Sequence, residues 1–294
     1  MLKNKSAHIA ILIANVAFGV NYVFSQVLVQ GYISPMAATT ARVLFAAIMF
    51  WVVAMFRDYQ KVERGDLLKL FICGQLGASL NMYFFLKGIV YTSPMDASII
   101  MTLTPLLVLV ISAMVLREAI TRNKIVGIIL GATGAIWLIM SSSMYGTFGQ
   151  NQWLGNVLCF GSALSYSVYL VIAKPLMNKY TPLTVLRWIF TFGAVTLVPM
   201  GAVDLVKTDW SGFDVQATIL FAYMLVGVTF MTYLFIAYAL SKVRSTTVSI
   251  YNYSQPVIAS FLTVLLGIDR LSVQFLMCAA LVFFGVFLVV RGKR

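Results

Sequence analysis

The sequence predicts an all-α integral membrane protein of ten transmembrane helices, arranged as two inverted five-helix repeats, and three observations carry that prediction. The first is composition: of 294 residues, 61% are hydrophobic and only 10% charged, with a mean hydropathy of +0.93. A soluble domain carries roughly 25% charged residues, so a chain this apolar needs lipid as its solvent. The second is the length of the apolar runs. A hydrocarbon core about 30 Å thick takes about 20 helical residues to cross, and the runs have that length. They exclude a β-barrel, whose strands alternate polar and apolar residues over about ten positions. The third is self-similarity. A shift of 151 residues lays Pro105 on Pro256, Ser98 on Ser249, Glu118 on Asp269, Thr121 on Ser272 and Gly134 on Gly285.

The predicted spans are 8–28, 35–56, 67–88, 94–116, 124–141, 153–173, 182–203, 216–239, 246–266 and 271–290. Pro35, Pro94 and Pro182 each sit at a helix start, where the missing N–H costs nothing. Ser34, Ser93 and Thr181 precede them as N-caps. Ser34-Pro35 also pairs with Thr181-Pro182 across the repeat, at an offset slightly smaller than 151. The repeats divide as 1–146 and 147–294, and five helices in each turn the second copy upside down in the membrane. With the N-terminus inside, the inner connections collect sixteen Lys and Arg and the outer ones three. That bias places both termini in the cytoplasm and suits a bacterial inner membrane. The first run follows Lys3 and Lys5 but is long enough to span, so it reads as a retained helix rather than a cleaved signal.

The net charge of +12 is spread in short clusters between apolar runs, which is how topology is written rather than how nucleic acid is bound. Cys73, Cys159 and Cys278 lie within apolar runs without metal-ligand spacing and read as small hydrophobes. No GxxxxGK[ST] loop is present, so ATP is not the direct power source. An intramembrane enzyme would need a nucleophile–base pair or a metal set; with His8 alone at the membrane edge and no HExxH, the parts are missing. A receptor or assembly factor has no positive feature. The expected partners are the bilayer and a small-molecule substrate, with no cofactor and no metal.

Polar side chains are costly in lipid and point to function. Residues three, four and seven apart share a helical face. On the first helix Asn15, Gly19, Tyr22 and Gln26 form one stripe, and on the sixth Ser162, Ser165, Tyr166 and Tyr169 form its counterpart. Both suit the lining of a water-filled path, and equally suit hydrogen bonds that glue helices together. The fourth helix presents Ser98, Met101, Thr102 and Pro105; the ninth presents Ser249, Asn252, Tyr253 and Pro256 at the shifted positions. A mid-helix proline removes a backbone hydrogen bond and frees a carbonyl, giving a polar point for a ligand and a place to bend; a fixed packing kink is the alternative. Asn15, Tyr22, Thr102, Tyr166, Tyr169, Asn252 and Tyr253 are therefore the candidate substrate contacts. Pro105 and Pro256 are the candidate hinges. Helices three and eight add Gln75, Ser79 and Asn81, and Thr229, Thr232 and Tyr233.

Arg42 and Arg187 are the basic residues well inside predicted helices, and a structural or gating role is favoured for both, with recognition of a substrate carboxylate as the alternative. Asp96, three residues after Ser93, reads as a capping residue on a helix N-terminus. It is also the candidate proton carrier, because no carboxylate lies near a predicted helix centre. Glu118 and Asp269 precede the hydroxyl caps Thr121 and Ser272 and read as loop structure. Gly127, Gly131 and Gly134 let a neighbouring helix approach, within the chain in preference to a homodimer seam.

The chain resembles the EamA branch of the drug/metabolite transporter superfamily over essentially its whole length. The resemblance is carried by Pro35…Arg42, by Thr92-Ser93-Pro94…Ser98…Thr104-Pro105, and by Glu118…Gly127…Gly131…Gly134, followed by the degenerate second copy. It implies a ten-helix carrier of small metabolites, often amino acids or related compounds, commonly moved outward. A facilitative or exchange carrier for another compound is the alternative. One departure stands out: Arg187 follows its proline by five residues, Arg42 by seven, so the two are not equated. Inverted repeats bind substrate near the midplane, between the copies, and that is where the candidate residues are expected to meet.

Overall fold

The computed structural model describes residues 5–56, 60–116, 122–141, 151–268 and 272–291. Glu118, Thr121, Asp269 and the expected repeat boundary at 146/147 lie outside the described residues. Among the described residues every regular element is helical. Helices α1 (Lys5–Gly31) and α2 (Pro35–Met55) are uninterrupted. Helix α3 (Arg64–Gly74) passes through a π-helical turn (Gln75–Leu80) into α4 (Asn81–Tyr91). The next rod is α5 (Pro94–Met101) and α6 (Thr104–Leu116), broken between them, and then comes α7 (Arg122–Ser141).

The second half repeats the pattern. Helices α8 (Gln152–Lys179) and α9 (Pro182–Val206) are long. Helix α10 (Val215–Ala222) runs through a π turn (Tyr223–Met231) into α11 (Thr232–Lys242). Helix α12 (Ser245–Ile250) breaks at a 3-10 turn (Tyr251–Tyr253) before α13 (Ser254–Leu265), and α14 (Val273–Arg291) follows. Six segments are long and apolar enough to cross a membrane: Lys5–Gly31, Pro35–Met55, Pro94–Val115, Gln152–Lys179, Pro182–Val206 and Val215–Lys242.

The starts obey the caps that the sequence predicts. Ser34 Oγ accepts from Ala37 N at 3.1 Å, Ser93 Oγ from Asp96 N at 3.1 Å, and Thr181 Oγ1 from Thr184 N at 3.3 Å. Ser272 Oγ accepts from Phe275 N at 3.0 Å, capping α14. Each is worth about 1 kcal/mol to its helix.

Helices pair across the halves rather than within them. Helix α2 packs along α9, α7 along α14, α4 along α8, and α1 along α11 and α13. Exchanging the repeats maps these pairs onto one another, so the interface between the copies is the core of the protein. Two buried apolar clusters fill it, one around Phe50, Tyr169, Phe190 and Ile236, the other around Leu28, Ile89, Ile99 and Met224. The α7–α14 seam uses the predicted glycines. A Cβ on Gly285 would lie 2.5 Å from Gly127 O and 2.6 Å from Gly131 N. The small-residue face of α7 is thus occupied inside the chain. Outward-facing Ile9, Met55, Val206, Ile219 and Phe261 leave an apolar girdle of the kind lipid covers.

Candidate functional site

A small cavity lies where the two copies meet. Its wall is assembled from both: Phe18, Asn21 and Tyr22 of α1, Arg42 of α2, Asn81, Met82 and Phe85 of α4, and Met101 of α5 face Ser162 and Tyr166 of α8, Tyr233 of α11, Asn252, and Gln255 of α13. Aromatic walls with a few placed polar groups are the lining that small-molecule pockets have.

The π turns put two of those polar groups in position. In a π turn one residue is added without lengthening the helix by a full step, which exposes carbonyls and rotates the next face. Thr229 Oγ1 donates to Met224 O, five residues back, at 2.7 Å, and Arg42 Nε donates to Thr229 Oγ1 at 2.8 Å. In the other repeat, Gly77 O accepts from Tyr233 OH at 2.8 Å, with Asn81 Oδ1 at 3.3 Å from the same hydroxyl. Asn81 Nδ2 in turn donates to Ser162 Oγ at 3.0 Å and Ser162 O at 3.1 Å. Gly77 is required here, because a Cβ would sit 2.5 Å from the Tyr169 ring.

A second network closes the α1–α13 side. Tyr22 OH donates to Gln255 Oε1 at 2.8 Å, Gln255 Nε2 to Asn15 Oδ1 at 2.6 Å, and Asn15 Nδ2 to Ile11 O at 2.8 Å. All three side chains are buried, so the chain of bonds holds the wall rigid at low dielectric cost.

The helix breaks stand at equivalent positions, between α5 and α6 and at Tyr251–Tyr253. Pro105 has no N–H to give Met101 O; the Thr104 hydroxyl takes that carbonyl instead, at 2.7 Å. The freed acceptor is therefore satisfied within the helix. The break serves shape: it turns Met101 onto the cavity wall while Thr102 bonds back to Ile99 O.

The candidate residues thus separate. Tyr22, Tyr166, Asn252 and Arg42 line the cavity. Asn15 stands behind it, holding Gln255. Tyr169 is fully buried beneath Gly77, and its hydroxyl has no hydrogen-bond partner. Tyr253 packs against Phe283, with ring centroids 6.2 Å apart, and joins Leu103 and Leu106. Pro256 is buried beside Gln255. Asp96 holds Gln152 Nε2 at 2.7 Å at the start of its helix and does not line the cavity. Gln255 was not among the candidates, yet it lies three residues past Asn252, so the spacing rule already placed it on that face. Asn21 and Phe18 flank the predicted stripe on α1, which the helix rotates partly away: Gly19 packs on Ile258 and Gln26 bonds Thr92 O at 3.1 Å.

Beyond the cavity, a clasp joins the connection before α3 to the α8–α9 corner. Lys179 Nζ meets Glu63 Oε2 at 2.6 Å and Asp66 Oδ2 at 2.7 Å, and Tyr180 OH donates to Asp66 Oδ2 at 2.8 Å. Lys179 and Tyr180 hold the Asp66 carboxyl well below its ordinary range, at about 2. Arg187 belongs to this end: its NH2 donates to Gln60 O at 2.8 Å, and the guanidinium lies 5.0 Å from the Trp51 ring centroid.

Residues 5–140 and again 153–291 match the EamA-like transporter family. An uncharacterised transporter of Archaeoglobus fulgidus is 28% identical over 264 residues, 89% of this chain and 91% of that protein. The uncharacterised transporter YyaM of Bacillus subtilis is 22% identical, over 90% of this chain and 88% of its own length. A solved crystal structure of 15% sequence identity shares the fold, with a TM-score of 0.68 over 99% of this chain and 100% of that one.

Proposed function

The chain belongs to the EamA-like transporter family, within the drug/metabolite transporter superfamily, and from that premise we propose that it is a secondary exporter of small polar metabolites such as amino acids or related compounds. It works by alternating access about the central cavity. Ten helical rods span the plasma membrane, with both termini in the cytoplasm and one five-helix repeat inverted against the other. The observation that carries the reading is that one cavity is walled by both repeats, with π turns and helix breaks at equivalent places in each. Paired irregularities around a shared site allow one copy to take the conformation of the other, exposing the site first to one face and then to the opposite one. Pro105 and Pro256 lie at the breaks and serve as the hinges.

The reading is tested by reconstituting the full chain in proteoliposomes and measuring substrate-dependent counterflow across a broad metabolite panel. Flux that falls in Asn252→Ala, on the cavity wall, and persists in Tyr253→Ala, behind it, is the expected result. Absence of flux for every compound, or identical flux in both variants, overturns it.

A further inference from the structure

The charge on the cavity wall is lopsided. Among the described residues that line it, Arg42 is the one that is charged, and only 3% of it is exposed. Its Nε is fixed by Thr229, but its NH1 is buried without a hydrogen-bond partner. The other polar groups on the wall are amides and hydroxyls. A guanidinium taken out of water loses several kcal/mol of solvation unless an anion or a full set of acceptors replaces it, and a single hydroxyl is not a full set. A buried guanidinium on a cavity wall, with one nitrogen tied and another lacking a partner, is the arrangement that receives a carboxylate by charge-assisted hydrogen bonding.

We propose that the cavity selects organic anions, a carboxylate docking on the guanidinium of Arg42 while the rest of the molecule lies against Phe18, Phe85, Met82 and Tyr166. The inference deepens the carrier reading and rests on it. It also orders the candidates within that reading. A free ammonium finds no carboxylate among the described residues of the wall to offset its desolvation, so a zwitterionic amino acid binds more weakly than the plain carboxylate of the same shape. A neutral amide, which leaves the guanidinium without a counter-charge, binds weakest of the three.

The test uses the purified full chain and the straight-chain carboxylates from propanoate to hexanoate as probes, each beside its primary amide and its 2-amino acid. Affinity is measured by calorimetry at neutral pH. For at least one chain length the carboxylate is expected to bind about tenfold or more tightly than its amide, with the amino acid between them, since charged hydrogen bonds of about 1.5–3 kcal/mol correspond to roughly ten- to hundredfold. Arg42→Lys, which keeps the charge, retains the preference, and Arg42→Gln removes it. Thr229→Val, which releases Nε but leaves the charge, retains it as well; this variant and the wild-type ranking keep the proposal exposed even when Arg42→Gln fails to fold. Equal binding of acids and amides throughout the series, or a preference that survives in folded Arg42→Gln, overturns the proposal. Counterflow of the best probe separates the two claims. Anion binding without flux of any probe or metabolite counts against the carrier and leaves the site standing; flux indifferent to charge leaves the carrier and removes the anion site.

Discussion

Arg42 and Arg187 stand early in the second helix of their respective repeats, both buried, and the structure treats them differently. Arg187 is held from two sides, by the Gln60 carbonyl and by the face of Trp51, at the end of the molecule where Lys179 clasps Glu63 and Asp66. Arg42 lines the central cavity, tied at Nε to Thr229 while its NH1 is buried without a hydrogen-bond partner. By the Pro35-to-Pro182 offset, the counterpart of Arg42 is Ile189; by the 151-residue shift, the counterpart of Thr229 is Ala78; both are fully buried. The symmetric backbone therefore carries an asymmetric charge. The cation comes from one repeat and the neutral wall from both, so a symmetric backbone need not carry symmetric chemistry.

The largest expected effect separates the two arginines directly. Arg42→Gln is expected to reduce counterflow by roughly ten- to hundredfold, the range set by losing one charge-assisted hydrogen bond to substrate, whereas Arg187→Gln changes it by less than about threefold. Equal losses in both would erase the distinction. Next comes the wall opposite Arg42. Gln255→Leu orphans the Asn15 carbonyl oxygen and the Tyr22 hydroxyl, at about 1–3 kcal/mol for each buried group left unpaired. The outcome to look for is a clear fall in thermal midpoint in detergent, with transport reduced; an unchanged midpoint would show that water replaces the amide. Gly77→Ala drives a methyl into the Tyr169 ring and costs about 1–3 kcal/mol, lowering the midpoint further than the same exchange at Gly65, where a Cβ meets nothing within 4 Å.

The smallest effect belongs to the clasp. The folded Asp66 carboxyl lies at about 2, below the ordinary aspartate value of about 3.9. A depressed carboxyl contributes stability above its unfolded pKa, and that contribution is lost as pH falls from about 4 towards 2. Lys179 is partly exposed and screened by water, so the contribution is about 1 kcal/mol or less. Wild type is expected to exceed Asp66→Asn in thermal midpoint near pH 6, with the gap closing as pH approaches 2. A gap that does not vary with pH would take the clasp out of the account.

How much of this was legible beforehand depends on the scale of the cause. The proline-led starts and the Ser34, Ser93 and Thr181 caps are written locally, and the structure carries each of them; of the ten apolar runs, six are helices long and apolar enough to span among the described residues. The paired copies were visible as a 151-residue offset because Pro105 and Pro256 punctuate equivalent breaks. The π turns at Gln75–Leu80 and Tyr223–Met231 had no such mark. They depend on tertiary partners: Tyr169 lies on Gly77, and Arg42 reaches Thr229 from another helix. The wall on α1 was placed about one position off for the same reason, since only packing on Ile258 decides that Gly19 turns away. Tyr169 and Tyr253, attractive as aromatic contacts in the sequence, stand one layer behind the cavity, because periodicity gives a face but not the depth at which that face meets its neighbour.

The central claim is that one cavity, shared by both repeats, opens to each side of the membrane in turn. Asn252→Cys tests it most directly, read by a membrane-impermeant maleimide applied separately to each face of oriented vesicles; Cys73, Cys159 and Cys278 are buried, and the wild-type chain is the control. The expected result is labelling from both faces, slowed by a transported substrate. Labelling from one face alone, while counterflow proceeds normally, would contradict it.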